Sequence, residues 1–407
     1  MNKILLLLTL TTSFKISSAQ LITEAKIKKH ITYLASDKLQ GREPGTKGEQ
    51  LAYQYIQKQF KRMDLLPKGS DGYLQNFTYK TLASPHDTVG LGKQKNGTNV
   101  VGYLDNNANY TIVIGGHYDH LGYDEHPSSL DKNKKLIHNG ADDNASGTAG
   151  VIELANYFVN NSVKENCNFL FICFSGEEDG LIGSKYYVNN PTIDLKTIQC
   201  MINMDMVGRL NDSTKKVMVY GVGTSPSYSN VFANLTTPLT LAFDSSGIGP
   251  SDQTSFYLKD IPVLHFFTGQ HSDYHKSSDD AGKINYSGEK LVLDLITTVT
   301  EKLANQPKLT FTKTKQPEQQ RVSFKVTLGI MPDYTFEGVG LKIDAVNEGK
   351  PAEKAGLLSG DIITEMGAVK IENIYDYMKA LGTFKKGETS TIVITRNKNK
   401  MQFNLTF

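Results

Sequence analysis

Five short segments of the chain carry residues of the types that hold metal ions. In Gly115-Gly116-His117-Tyr118-Asp119-His120, a histidine follows two glycines and an aspartate stands two residues further on. An imidazole there can bind an ion while a carboxylate steadies its other ring nitrogen. The acidic turn Gly140-Ala141-Asp142-Asp143-Asn144-Ala145-Ser146-Gly147 is the second segment, and Phe174-Ser175-Gly176-Glu177-Glu178 the third. Asn203-Met204-Asp205-Met206 and Asp273-Tyr274-His275 are the fourth and fifth. Two imidazoles and three or more carboxylates suit a pair of divalent ions, zinc first, with cobalt or manganese as substitutes. Three ligating carboxylates set against two divalent ions leave one positive charge, which a bridging hydroxide would neutralise. Without metal, the same carboxylates would repel one another in a cleft. Glu177 and Glu178 are adjacent, so their side chains point different ways. One can bind metal while the other stays free to move a proton.

These segments need elements to bring them together. Residues 110–114, 168–174, 199–204 and 261–267 are short, apolar and rich in β-branched or aromatic side chains, and read as buried strands; 216–220 reads as another. Four of the five segments follow the ends of such strands. Residues 73–82 and 99–104 read as further strands. Helical spacing runs through 21–39, 46–63, 148–158 and 288–303, and a helix starts at 184–188. Strands alternating with helices predict an α/β fold with a mainly parallel sheet and helices on both faces. Reactive groups then collect at the carboxyl ends of the strands.

At 407 residues the chain has room for two or three domains. Hydrophobic content of 39% and charged content of 21% fit an ordinary globular protein. A net charge of +2, with no long basic run, argues against a nucleic-acid partner. Lys3, the apolar run 4–10 and Ser17-Ser18-Ala19 predict a signal peptide over residues 1–19, hence an exported protein, periplasmic or secreted. No later stretch approaches the roughly 20 apolar residues of a transmembrane helix. Three cysteines do not make a disulfide framework, although Cys167 and Cys200 can pair if their strands are neighbours. Residues 306–321 are polar, hold Pro307 and Pro317, and read as a linker between a first domain, 20–305, and a second, 322–407.

As an ordered set, Gly-Gly-His-Tyr-Asp, Gly-Ala-Asp-Asp-Asn-Ala-Ser-Gly, Gly-Glu-Glu, Asn-Met-Asp-Met-Val-Gly and Asp-Tyr-His resemble the co-catalytic dizinc aminopeptidases. That group includes bacterial leucyl aminopeptidases and, more distantly, glutamate carboxypeptidases and transferrin receptors. The resemblance covers roughly residues 22–303, with Leu39-Gln40-Gly41-Arg42 and Pro44-Gly45-Thr46 included. It implies a three-layer sandwich around a mixed, mainly parallel sheet, and two zinc ions. His117 and Asp205 would bind one zinc, Glu178 and His275 the other. Asp143 would bridge both, ahead of a cis peptide to Asn144. Glu177 would be the general base and then the proton donor to the leaving amine. Asp119 would orient His117, and Tyr274 would stabilise the oxyanion. Substrates would be peptides with a free N-terminus, attacked by a hydroxide between the ions. Residues 121–138, with His126 and His138, read either as a solvent-facing loop or as a lid or pocket wall. Ser251-Asp252 and Thr268-Gly269 flank the last strand and can line the substrate pocket.

Residues 326–331, 340–346, Pro351-Ala352 with Ala355-Gly356-Leu357, and Gly360-Asp361-Ile362-Ile363 resemble a PDZ domain of the protease-associated type. Residues 374–381 would be its groove helix. Leu328-Gly329-Ile330 would cradle the terminal carboxylate of a peptide ligand added as a strand. Pro332 departs from this pattern, because it cannot donate from the edge strand. Two rivals stand beside the aminopeptidase reading. One is a glutaminyl cyclase, dipeptidase or carboxypeptidase on the same fold; the cyclases use one zinc, and the intact His117 opposes that. The other is a non-catalytic peptide-binding protein, which missing ligands would mark, and none is missing.

Overall fold

The computed structural model describes residues 22–81, 92–123, 126, 128–131, 135–233, 235–314, 326–333, 336, 338–346 and 349–407. The predicted signal peptide lies outside them. The strands of the first domain are β1 (Leu66–Pro67), β2 (Leu74–Lys80), β3 (Gln94–Leu104), β4 (Thr111–His117), β5 (Gly122–Tyr123), β6 (Ile137–His138), β7 (Asn168–Phe174), β8 (Ile198–Met204), β9 (Lys216–Tyr220), β10 (Thr240–Asp244) and β11 (Val263–Phe267). Apart from the β5–β6 ribbon they form one sheet, in the order β1-β3-β7-β4-β8-β11-β9-β10, with β2 on β3. The centre is parallel: β4 with β7 and with β8, and β8 with β11. The flanks add antiparallel pairs, β3 with β7 and β9 with β11, so the sheet is mixed.

The apolar runs become central strands because both of their faces are covered. Every residue of β4, β7, β8 and β11 is buried. Along β7, Phe169, Phe171 and Cys173 enter one core, and Leu170, Ile172 and Phe174 enter the other. The first core is closed by α1 (Glu24–Leu34), α2 (Lys47–Arg62), α3 (Gly147–Asn160) and α7 (Tyr286–Ala304). The second is closed by α4 (Ile182–Asn189) and α6 (Gln253–Tyr257) through Tyr187, Val188, Phe256 and Tyr257. Three layers result, as the alternation of strands and helices predicts. The shorter α5 (Ser227–Ala233) adds Tyr228 and Val231 to the first core. Cys167, Cys173 and Cys200 are buried free thiols, so the pairing of Cys167 with Cys200 is not formed.

Two glycines let the acidic turn dock against the strand ends. A Cβ on Gly116 would lie 2.7 Å from the Met204 carbonyl, and one on Gly147 would lie 2.4 Å from the same atom. Either side chain would push α3 off the ends of β4 and β8.

The Leu39-Gln40-Gly41-Arg42 segment acts through Arg42. Its guanidinium is fully buried and donates to the carbonyls of Leu34, Tyr118 and Asn139 at 2.6 Å and of Gly140 at 2.9 Å. Burial lowers its pKa to about 10, so it stays charged at neutral pH. It thereby ties α1 to the segments on either side of the candidate ligands.

The expected linker begins differently. Leu309 is buried in the first core, Thr312 N–H donates to the Thr224 carbonyl, and Phe311 packs beside Tyr257. Leu309 and Phe311 alternate with polar residues, and their side chains pack against the two cores of the first domain. After them, β12 (Ile330–Pro332), β13 (Leu341–Val346), β14 (Ile362–Met366), β15 (Val369–Lys370), β16 (Thr389–Arg396) and β17 (Asn399–Thr406) form a second sheet, in the order β12-β13-β14-β16-β17 with β15 on β14. With α8 (Pro351–Ala355) and α9 (Ile374–Leu381) they enclose a separate core around Ile343, Ile363, Ala380 and Ile392.

Removing the guanidinium leaves four buried carbonyls without their donor. Arg42→Ala is expected to lower the unfolding free energy of the first domain by about 3–5 kcal/mol, measured by urea titration. Arg42→Lys should recover only part of this, since one ammonium cannot reach four acceptors.

Candidate metal centre

His117 ends β4, Glu177 and Glu178 follow β7, and Asp205 follows β8. Asp143 stands in the turn before α3, and His275 in the loop after β11. All meet at one rim, where parallel strands deliver their carboxyl ends. His117 Nε2 lies 3.4 Å from Asp143 Oδ1 and 3.4 Å from Asp205 Oδ1. His275 Nε2 lies 3.3 Å from Asp143 Oδ2 and 3.2 Å from Glu178 Oε2. Asp143 therefore faces one histidine with each of its oxygens.

These separations fit a metal better than hydrogen bonds. Ligand bonds of about 2.0–2.1 Å in a tetrahedron put neighbouring donor atoms roughly 3.3–3.4 Å apart. His117 Nε2 is buried and has no hydrogen-bond partner. Both imidazoles also turn their Nδ1 to a backbone carbonyl: His117 to Asp119 at 3.2 Å, His275 to Ser128 at 3.0 Å. A proton held there leaves Nε2 with its lone pair directed at the site, the usual arrangement of metal-binding histidines. The donor set thus fits two divalent ions sharing Asp143.

The charges agree. Burial alone would lower the His117 pKa, but Asp205 and Glu177 hold it well above the ordinary value. For His275, Glu178 and Asp143 likewise outweigh burial. Burial, with Glu178 beside it, raises Asp143 to about 7. Glu177 is raised well above the usual carboxylate range by burial and by Glu178 and Asp205, as suits a group that accepts a proton. Its neighbour goes the other way: against burial, His275 and His120 hold Glu178 well below that range.

Asp142 and Asp143 are separated by their partners. Asp142 accepts from Gly208 N–H at 2.7 Å and meets His271 Nε2 at 3.1 Å, so it turns away from the rim. The peptide between Asp143 and Asn144 is cis, as the resemblance implies. Asn144 ties the turn to the end of β8: it donates to the Met204 carbonyl at 3.0 Å and accepts from Gly147 N–H at 2.8 Å.

The Asp119 carboxylate stands 3.6 Å from His117 Nδ1 and helps to raise the pKa of that imidazole, and the backbone carbonyl of Asp119 lies at 3.2 Å. The same carboxylate accepts from the amides of Glu177 at 3.2 Å and Glu178 at 3.4 Å, fixing the paired glutamates. The expected pocket-lining residues need correction. Ser251 and Asp252 are fully buried beneath the pocket, because Ser251 is drawn inward by Asn203 at 2.8 Å. Thr268 is held by the Met206 carbonyl. The described part of residues 121–138 does not face solvent alone. Leu130 N–H donates to the His275 carbonyl, and Asp131 accepts from Ser277 N–H at 2.6 Å, so it braces the His275 loop.

Two positioning groups lie beyond the sequence reading. His120, fully buried, meets Glu178 Oε1 at 2.8 Å through Nδ1, and burial lowers its pKa to about 3. It also lies with Asp143 and Glu178 in a metal-competent group, but its 2.8 Å contact is a hydrogen-bond distance, whereas those of His275 suit ligands. Asp279, also buried, accepts from the amides of Asp142 at 2.9 Å and Asp143 at 3.0 Å through one oxygen. Its only signal in the sequence is its closeness to His275.

A pocket opens beside these groups. Asp143, Glu177, Glu178 and Asp205 line it together with Met206, Tyr220, Pro250, Phe267 and Tyr274. The Tyr274 ring stacks on His275 with centroids 3.8 Å apart.

Residues 99–300 match the family model of peptidase family M28, and residues 310–407 match that of the PDZ domain. Aminopeptidase YwaD of Bacillus subtilis is 28% identical over 255 residues, 60% of this chain and 49% of that protein. The chain spans about half or less of the length of the first curated relatives it matches. LapA of Legionella pneumophila has a similar fold, with a TM-score of 0.55 and 22% identity over 71% of this chain and 75% of its own. So has the glutaminyl cyclase of Porphyromonas gingivalis, with a TM-score of 0.54 and 16% identity over 69% of this chain and 99% of its own.

A zinc ion bound at His117 or His275 would have to displace a proton from that histidine. Affinity for each ion is therefore expected to fall about tenfold per pH unit once the medium is acidic enough to protonate that histidine. Competition with a chromogenic chelator across pH measures this. Asp279→Ala should weaken zinc binding by about 10–100-fold in the same assay, because the turn bearing Asp143 loses its anchor.

Proposed function

Because residues 99–300 belong to peptidase family M28 and residues 310–407 form a PDZ domain, we propose that the protein is an exported zinc-dependent aminopeptidase, periplasmic or secreted. It removes N-terminal residues from peptides. The observation that carries this reading is the shared carboxylate: Asp143 reaches toward His117 with one oxygen and His275 with the other, beside the free carboxyl of Glu177. His117 and Asp205 would hold one zinc, Glu178 and His275 the second, and Asp143 would serve both. When bound, the pair supplies Lewis acidity and lowers the pKa of water to about 7.

The chain's own groups do the rest. Glu177, raised by burial, takes the proton of the attacking water and returns it to the leaving amine. Tyr274, on the pocket wall, donates to the carbonyl oxygen as it becomes an oxyanion. The ammonium of the substrate is drawn to the acidic groups of the pocket. The apolar and aromatic residues take the first side chain, so residues such as leucine or phenylalanine are preferred over charged ones.

Purified protein is expected to hydrolyse leucine p-nitroanilide with zinc and to stop with a chelator. N-acetylated peptides should be left intact; their cleavage at equal rates would remove the aminopeptidase reading, and release of pyroglutamate from an N-terminal glutamine would favour a cyclase. Glu177→Gln should lower kcat by about 10²–10⁴-fold while zinc content is unchanged.

A further inference from the structure

A second cleft lies where the two domains meet. Arg209, Lys216, Gln270 and His271 line it from the first domain, and Pro332 and Asp333 from the second. Gln270 also lines the pocket of the candidate metal centre, so the two cavities are neighbours across one side chain. Pro332 is the last residue of β12, and β12 is the edge strand of its sheet, paired among described residues only with β13.

We propose that the ligand of the PDZ domain is the C-terminal end of the substrate peptide itself, held so that its N-terminus enters the metal centre. This rests on the aminopeptidase reading above. Direction carries the argument. A peptide whose terminal carboxylate sits at Leu328-Gly329-Ile330 adds antiparallel to β12. Its chain must then run toward the Pro332 end of that strand, with its N-terminus leading. That end opens into the shared cleft, and the cleft leads past Gln270 to the acidic pocket. The opposite polarity would send the N-terminus away from the catalytic domain.

Local features match this route. Gly329 has φ +76°, and a Cβ on it would lie 2.1 Å from Lys350 Cβ, so a lysine stem packs directly on the loop that would receive the carboxylate. The Leu328 carbonyl is fixed by Ala352 N–H at the start of α8. Pairing of β12 with β13 shifts register between Met331 and Pro332, and Pro332 has no N–H to offer an added strand. An added peptide therefore stays in the sheet only as far as Met331 and must leave it there, at the mouth of the cleft. Arg209 and Lys342 at the cleft are paired with Asp273 at 3.4 Å and Asp333 at 3.0 Å, so the walls set no strong charge preference for the middle of the peptide. Engagement at both ends makes the second contact intramolecular, which raises affinity without a new kind of bond.

The experiment uses the full-length zinc-loaded enzyme and peptides of increasing length, each with N-terminal leucine and made both with a free carboxylate and as the C-terminal amide. Past the length that spans both sites, KM for the free acid is expected to be at least about tenfold lower than for the amide, with little difference below that length. Lys350→Glu should abolish the acid-to-amide ratio. Equal KM values at every length would overturn the inference, and so would a ratio that survives Lys350→Glu undiminished. Failure to cleave leucine p-nitroanilide would instead remove the aminopeptidase reading. Calorimetric binding of the long free acid against its amide would then still decide whether the carboxylate is captured.

Discussion

Four carboxyl groups, Asp143, Glu177, Glu178 and Asp205, share one cleft with two imidazoles, and their mutual repulsion is the force the surrounding structure has to contain. In a folded protein without cations such a set can be relieved only by taking up protons. Asp143 and Glu177 are pushed upward by burial and by their acidic neighbours, and the histidines are held charged by the same neighbours. The imidazolium charges of His117 and His275 balance Asp205 and Glu178 in the absence of metal, and divalent cations would take over that role and relieve Asp143 as well.

Holding the groups apart at ligand spacing falls to parts of the fold that touch no ion. The parallel centre of the sheet brings His117, Glu178 and Asp205 to one level, and Gly116 and Gly147 let the acidic turn close on it. Asp279 holds the backbone of that turn, Asp119 that of the paired glutamates, and His120 the side chain of Glu178. Arg42 joins α1 to both flanks and adds a buried guanidinium near this concentration of acid.

The strand runs and the five ligand-bearing segments were readable in the chain because each is local: an apolar stretch ending in a short, distinctive group of residues. Choosing Asp143 over Asp142 was possible from resemblance, and the reason lies in contacts of Asp142 with Gly208 and His271 that no spacing reveals. Groups that act through backbone atoms were not readable. The Ser128 carbonyl that orients His275 carries no side-chain signal, and Asp279 looks like any acid in a polar loop. The pocket wall was misread by one residue on each side, with Pro250 and Gln270 facing the cavity while Ser251 and Asp252 are buried. Which neighbour points inward depends on loop conformation, which residue type does not fix.

The central claim is that one carboxylate serves two ions, and metal stoichiometry tests it most directly. Purified, zinc-equilibrated protein should carry two zinc ions per chain by mass spectrometry of its metal content. His117→Ala should retain one, and Asp143→Ala should lose both. Retention of a full ion by Asp143→Ala, or a single ion in the unaltered protein, would contradict the account.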